Sequence, residues 1–160
     1  MTHRQIEQLQ GFYLTNRQAL FTYALSLTKH RESAEDLLQD VLAKLLQQTR
    51  LPKELRPYVY RMVRNRAIDE FRRKDVTTTT LFDLERLPED SPDKDLWPVL
   101  EQGLNALEEN IREVIVLKNL DGLRFREIAD ILDKPIGTIT TWHRRGLERL
   151  NDLLTQESIL

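Results

Sequence analysis

The chain of 160 residues has no cysteine, only three histidines and only five glycines. Without cysteine there are no disulfides, no thiol redox switch, no cysteine nucleophile and no cysteine-ligated zinc. His3, His30 and His143 lie far apart in sequence. A histidine-rich metal site is therefore not expected, and neither a metal nor a cofactor is implied. Scarce glycine leaves no phosphate-cradling loop, and neither an HExxH run nor a nucleophile elbow is present. No run approaches the ~20 apolar residues of a membrane helix. The N-terminus, MTHRQIEQLQ, lacks an apolar secretory core. These features predict a cytoplasmic protein that does not insert into membranes.

What is present is helical. The composition is 40% hydrophobic and 31% charged. Apolar residues recur at helical spacing and strand-like alternation is missing, so an all-α fold is expected. The net charge of −2 conceals a division. Residues 1–74 carry 14 Lys/Arg against 8 Asp/Glu, residues 75–95 carry 2 against 7, and residues 96–160 carry 8 against 11. The stretch 76–98, VTTTTLFDLERLPEDSPDKDLWP, combines a threonine run, three prolines and clustered acids. That is linker chemistry. The expected organisation is two small helical domains, 1–75 and 98–160, joined by an acidic flexible linker over 76–97. A single domain with one long loop is the alternative.

In the first block the spacing predicts helices over 4–28, 33–48 and 57–74. Ser33 with Asp36 reads as a capping box opening the second, and Pro57 suits the first turn of the third. On the second helix Leu37, Leu38, Val41, Leu42, Leu45 and Leu46 form a core half. Asp36, Gln39 and Asp40 form a polar edge that spacing alone assigns to solvated surface. On the third, Tyr58, Arg61, Asn65 and Arg72 fall within an arc of about 80°, with Arg64, Arg66, Arg73 and Lys74 around it. Aromatics interleaved with arginines suit single-stranded nucleic acid, since rings stack on bases and guanidiniums meet phosphates. Composition alone gives a solvated helix equal standing.

In the second block FREIADILDKPIGTITTWHRRGLERL has helix-turn-helix grammar. A first helix is expected over 124–132 and a turn over 133–137, with Asp133 tolerating a left-handed backbone. Thr138 is the expected cap of the second helix. There Ile139, Trp142, Gly146, Leu150 and Leu153 face inward, and Thr140, Thr141, Arg144, Arg145 and Glu148 face out. Such outward residues reach base edges when a recognition helix enters the major groove. His143, at the flank of the inward arc, reads as a half-buried packing residue.

These stretches carry a family resemblance. AEDLLQDVLAKLL (34–46) and YVYRMVRNRAIDEFRRK (58–74) are similar to region two, and residues 107–150 to region four, of an extracytoplasmic-function (ECF) sigma factor of the sigma-70 family. The resemblance implies a non-enzymatic subunit that binds bacterial core RNA polymerase, directs it to promoter DNA and helps open it. It implies a polymerase-docking set of Asp36, Leu37, Gln39 and Asp40. It implies minus-ten contacts by Tyr58, Arg61, Asn65 and Arg72, with loop 48–56 capturing a flipped base. It implies minus-thirty-five contacts by Thr140, Thr141, Arg144 and Arg145. Segment 111–120 would help hold the polymerase flap, the acidic linker would run in the RNA exit channel, and an anti-sigma factor is the expected regulator. No regulatory domain is expected after region four. Thr140 stands where lysine is frequent in the family, and His143 where an aliphatic residue is usual.

Two rival readings remain. A sigma mimic that sequesters an anti-sigma factor would not need Arg61, Arg64, Arg66, Arg72, Arg144 and Arg145. A carboxylate hydrolase would need converging acids, yet Asp69-Glu70 and Glu108-Glu109 are neighbours whose side chains diverge by about 100° on a helix.

Overall fold

The computed structural model describes residues 1–73 and 97–156, and the side chains of 71–73 and 97 lie outside the description. The acidic linker expected over 76–97 therefore falls almost wholly outside the described residues, as does the side chain of Arg72. Seven α-helices make up the described part: α1 (His3–Thr28), α2 (Arg31–Gln47), α3 (Leu55–Arg73), α4 (Trp97–Asn105), α5 (Glu109–Ile115), α6 (Phe125–Leu132) and α7 (Ile136–Gln156). A π-helical turn, Val116–Leu120, extends α5. No strand occurs among the described residues.

Local chemistry sets the helix ends. Thr2 caps α1 in a reciprocal box with Gln5: Thr2 Oγ1 accepts from the Gln5 N–H at 3.2 Å, and Gln5 Oε1 accepts from the Thr2 N–H at 3.0 Å. Lys29 ends α1 in the left-handed region at φ 57°, with its N–H returned to the Leu25 carbonyl. The expected Ser33 cap is not the one formed. His30 caps α2 instead, in extended conformation, with its ring accepting from the Ser33 N–H. The reversal at Lys29 brings His30 to that place, so α2 begins before Ser33. Thr138 is likewise inside α7 rather than capping it, because the turn is shorter than expected. Asp133 does adopt the left-handed conformation, at φ 53°, and terminates α6.

The two blocks share a core. Leu20, Tyr23, Ala24, Leu38, Val41, Val59, Tyr60 and Val63 from the first block pack in one cluster with Val114, Val116, Leu117, Leu123, Ile128 and Ile139 from the second. α1 packs on the π turn and α3 packs on α6. Fully burying an aliphatic side chain stabilises by about 1.5–3 kcal/mol, so this seam is an apolar interface first and a polar one second. A smaller cluster, Leu104, Leu107, Ile115 and Leu150, seats α4 and α5 against α7. Gly146 permits that approach, since a Cβ there would meet Ile115 atoms at 2.8 Å and Ile111 at 2.9 Å.

Candidate nucleic-acid interface

α3 supplies the basic surface. Its apolar positions Val59, Tyr60, Val63 and Ala67 are buried, which fixes the rotation of the helix and turns Asn65 outward. Tyr58 is half-buried beside the loop, and its hydroxyl accepts from Gln48 Nε2 at 2.9 Å. Arg66 reaches back to α2, donating to Asp40 at 3.1 Å and lying 3.4 Å from Glu70. Its Nε is buried without a partner. Tyr58, Arg61 and Asn65 thus stand on one helix as the spacing predicts, while the Arg72 side chain is outside the described residues.

Arg56, Tyr60 and Arg64, one helical turn apart, form a second stripe that meets acids of the second block. Arg56 Nε donates to Glu127 Oε2 at 2.8 Å, with a second bond from its Nη2 to Oε1. The Tyr60 hydroxyl donates to Asp121 Oδ2 at 2.9 Å. Arg64 Nε donates to Glu113 Oε1 at 3.0 Å. The same Glu113 oxygen accepts from the Tyr23 hydroxyl at 2.7 Å. At the edge, Arg61 pairs with Asp130 of α6. An open cleft of about 620 Å³, lined by Arg56, Arg124, Glu127 and Asp130 among others, marks one end of this seam.

The electrostatics are uneven along it. Hydrogen bonding from Arg56 is the main cause that brings Glu127 down to about 2. Asp121 has the opposite fate: burial pushes it up to about 7, against the Tyr60 hydrogen bond and Arg56. The Tyr23 hydroxyl is raised by burial and by the nearby Glu113 carboxylate.

Two faces stay open. On α2, Asp36, Gln39 and Asp40 are exposed. Leu37, expected with them, is only 3% exposed and belongs to the core. On α7, Thr140, Arg144 and Arg145 are exposed and Thr141 is half-buried. Thr140 Oγ1 donates to the Gly137 carbonyl at 3.0 Å, and Arg144 lies 3.9 Å from Glu148. His143 is half-buried, as expected. Its ring stands edge-on to Phe125 with centroids 5.1 Å apart, and Nε2 lies 2.9 Å from Asn119 Oδ1. Burial, with Lys118 nearby, lowers its pKa.

Among the described residues no group of His, Asp or Glu is arranged to hold a metal ion. No described helix is long and apolar enough to cross a membrane. The pairings that sequence reasoning missed are those between blocks, through Arg56, Tyr60, Arg64, Glu113, Asp121 and Glu127. One signal was available: Glu113 is a lone acid within the apolar run IREVIVLKNL.

Comparison with known proteins bears on both halves. Residues 12–77 match the family model Sigma-70 region 2, and residues 99–150 match Sigma-70, region 4. The RNA polymerase sigma factor YlaC of Bacillus subtilis is 30% identical over 162 residues, which cover 92% of each chain. The ECF RNA polymerase sigma factor SigE of Mycolicibacterium smegmatis is 26% identical over 150 residues, or 87% of this chain. The match spans 58% of the SigE length. The sigma factor RpoE of Bartonella quintana, solved in complex with the anti-sigma factor NepR, superposes with a TM-score of 0.75 at 24% identity, covering 93% of this chain and 98% of its own. The chain belongs to the sigma-70 family, in its ECF group.

Proposed function

We propose that this ECF sigma-70 family chain is a promoter-specificity subunit, acting in the cytoplasm as a binding protein and not as an enzyme. It binds bacterial core RNA polymerase, directs it to promoters and starts transcription there. The observation that carries this reading is the pairing, on one chain, of two different nucleic-acid surfaces. α3 interleaves Tyr58 and Asn65 with arginines, which suits an unpaired strand. α7 exposes Thr140, Arg144 and Arg145 on a recognition helix, which suits duplex DNA.

On this reading residues 1–75 form region two, 76–97 the acidic linker and 98–160 region four. Asp36, Gln39 and Asp40 dock on the largest polymerase subunit, with buried Leu37 supporting the helix from beneath. Tyr58, Arg61, Asn65 and Arg72 line the minus-ten strand. Thr140, Thr141, Arg144 and Arg145 read the minus-thirty-five duplex. An anti-sigma factor is the expected negative partner, consistent with the complex formed by the Bartonella relative.

The test is transcription from a genomic fragment library with purified core polymerase from the same source, followed by sequencing of transcript starts. Discrete starts sharing two upstream elements are expected. Tight core binding without starts would favour the mimic, and neither binding nor starts would overturn the reading.

A further inference from the structure

Ile136, the first residue of α7, is 52% exposed and stands in neither apolar cluster of the fold. A single exposed aliphatic side chain is ordinary on a protein surface; place and neighbours give this one a use. The turn that carries it is fixed. The Thr138 and Ile139 N–H groups both donate to the Pro135 carbonyl, at 3.0 and 3.2 Å, and the Ile139 side chain is wholly buried. Thr140 follows one turn later and is exposed. Its hydroxyl donates to the Gly137 carbonyl at 3.0 Å, so the hydroxyl proton is already used and does not reach an acceptor on a base. The other heavy atom on that Cβ is the methyl. Gly137 adds no side chain beside them, and even a Cβ there would meet nothing within 4 Å. Arg144 comes another turn on and is exposed. At about 100° per residue, Ile136, Thr140 and Arg144 lie within an arc of about 80°.

We infer that Ile136 and the Thr140 methyl form a thymine reader: an apolar step on the recognition helix that selects a T·A pair in the minus-thirty-five duplex through the thymine C5 methyl, without a hydrogen bond to that base. This rests on the reading of α7 as the helix that enters duplex DNA. The N-terminal residues of such a helix are those that meet base edges. Thymine alone of the four bases presents a methyl in the major groove. A base that offered a polar group at this place would lose its water to Ile136 and gain no partner. Ile136 is also stiff at χ1, so little freedom is lost when it packs on the methyl. Along the helix Thr140 stands about 6 Å and Ile136 about 12 Å from Arg144, and base pairs are about 3.4 Å apart. The thymine therefore lies within about three base pairs of the contact made by Arg144.

The test uses holoenzyme assembled from the full chain and core polymerase. Duplexes are selected from a random-sequence library. Within the upstream element each thymine is then replaced in turn by deoxyuridine, which lacks only the C5 methyl. At one thymine, or two adjacent ones, the replacement should weaken binding about four-fold, the effect of one buried methyl. Ile136→Ala should reduce that ratio, as should Thr140→Ser, which keeps the hydroxyl. The double variant should bring the ratio near one. Leu147→Ala removes another exposed aliphatic side chain from further along the same helix and should leave the ratio unchanged. The ratio compares two duplexes on one protein, so a change in folding or in core affinity does not move it.

An enriched upstream element in which no deoxyuridine replacement weakens binding by about two-fold overturns the inference and leaves the duplex reading of α7 standing. So does an element that contains no thymine. A methyl effect that persists in the double variant also overturns it, since another group then reads the thymine. No enriched upstream element overturns the duplex reading itself, and the inference falls with it.

Discussion

Replacing Gly146 by alanine should destabilise the protein, although alanine is the better helix former. Gly146 lies within α7 and is buried where α5 crosses beneath it. The helical gain from Gly to Ala is about 1 kcal/mol. The steric cost comes from three atoms: Ile115 Cδ1 and Cγ1 at 2.8 Å and Ile111 Cγ2 at 2.9 Å from the new Cβ. Both neighbours are β-branched and stiff at χ1. Ile115 is 3% exposed, so it has no solvent to yield into. Overpacking of this kind costs about 1–3 kcal/mol. With two stiff partners the upper part of that range applies, and a net loss of about 1–2 kcal/mol is expected. The surface carrying Arg144 and Arg145 also shifts, because α7 can relieve the clash only by lifting off α5.

Gly137 in the same helix supplies the internal comparison, since a Cβ there meets nothing within 4 Å. Gly137→Ala should stabilise by about 0.5 kcal/mol, less than a mid-helix gain because it stands in the first turn. The two variants should therefore move the urea midpoint, followed by far-ultraviolet circular dichroism, in opposite directions with equal slopes. If Gly146→Ala raises the midpoint as much as Gly137→Ala does, the close packing of α5 on α7 is wrong.

Further outcomes are expected. Tyr23→Phe removes a donor 2.7 Å from the buried Glu113 carboxylate, and should cost about 1.5–3 kcal/mol in denaturant unfolding; an unchanged midpoint would mean that this bond does not form. Asp121 has its pKa raised to about 7 by burial, above the ordinary 3.8, so the folded seam binds a proton that the opened chain releases. Its contribution is full below about pH 4 and is lost as pH rises through about 7, and Asp121→Asn should flatten the fall in Tm between those limits. Glu127, lowered to about 2, acts in the other window: its contribution is present above the ordinary 4.5 and is lost as pH falls towards 2. Arg144→Ala should weaken duplex binding in a gel-shift assay by roughly ten-fold, whereas Asp40→Ala should weaken core-polymerase binding and leave duplex binding intact; loss of both in either variant would indicate misfolding.

Much of the helical layout was legible because its signals are local. The apolar spacing of Leu37, Leu38, Val41 and Leu45 specifies one buried face of α2, and all four are buried. Asp133 could be placed at a left-handed turn because few residues tolerate that conformation. The errors are also physical. His30 took the cap expected of Ser33 because the chain reverses at Lys29, which spacing does not encode. Leu46 was assigned to the core half of α2 but is 48% exposed, since the core reaches only part of that arc. The α3 surface was legible as aromatic and basic. That Arg56, Tyr60 and Arg64 face acids roughly fifty to seventy residues away was not, because long-range pairing leaves no periodicity.

The charge division acquires a structural sense from those pairs. The first block is basic and the second acidic, and the total is near neutral. Had the blocks been independent, each would carry its own solvated charge and the surplus acids of 96–160 would have no assigned partner. Instead Glu113, Asp121, Glu127 and Asp130 converge on α3. The cost of burying Glu113 is met by two donors, Tyr23 and Arg64. Asp121 has one hydrogen-bond donor, Tyr60, and burial raises its pKa in spite of that bond. A seam assembled only for stability would more simply be apolar throughout, since replacing a buried ion pair by packed hydrophobic residues is often neutral or favourable. Retained polar pairs instead make the closed arrangement sensitive to salt, to pH and to any polyanion that competes for the same arginines.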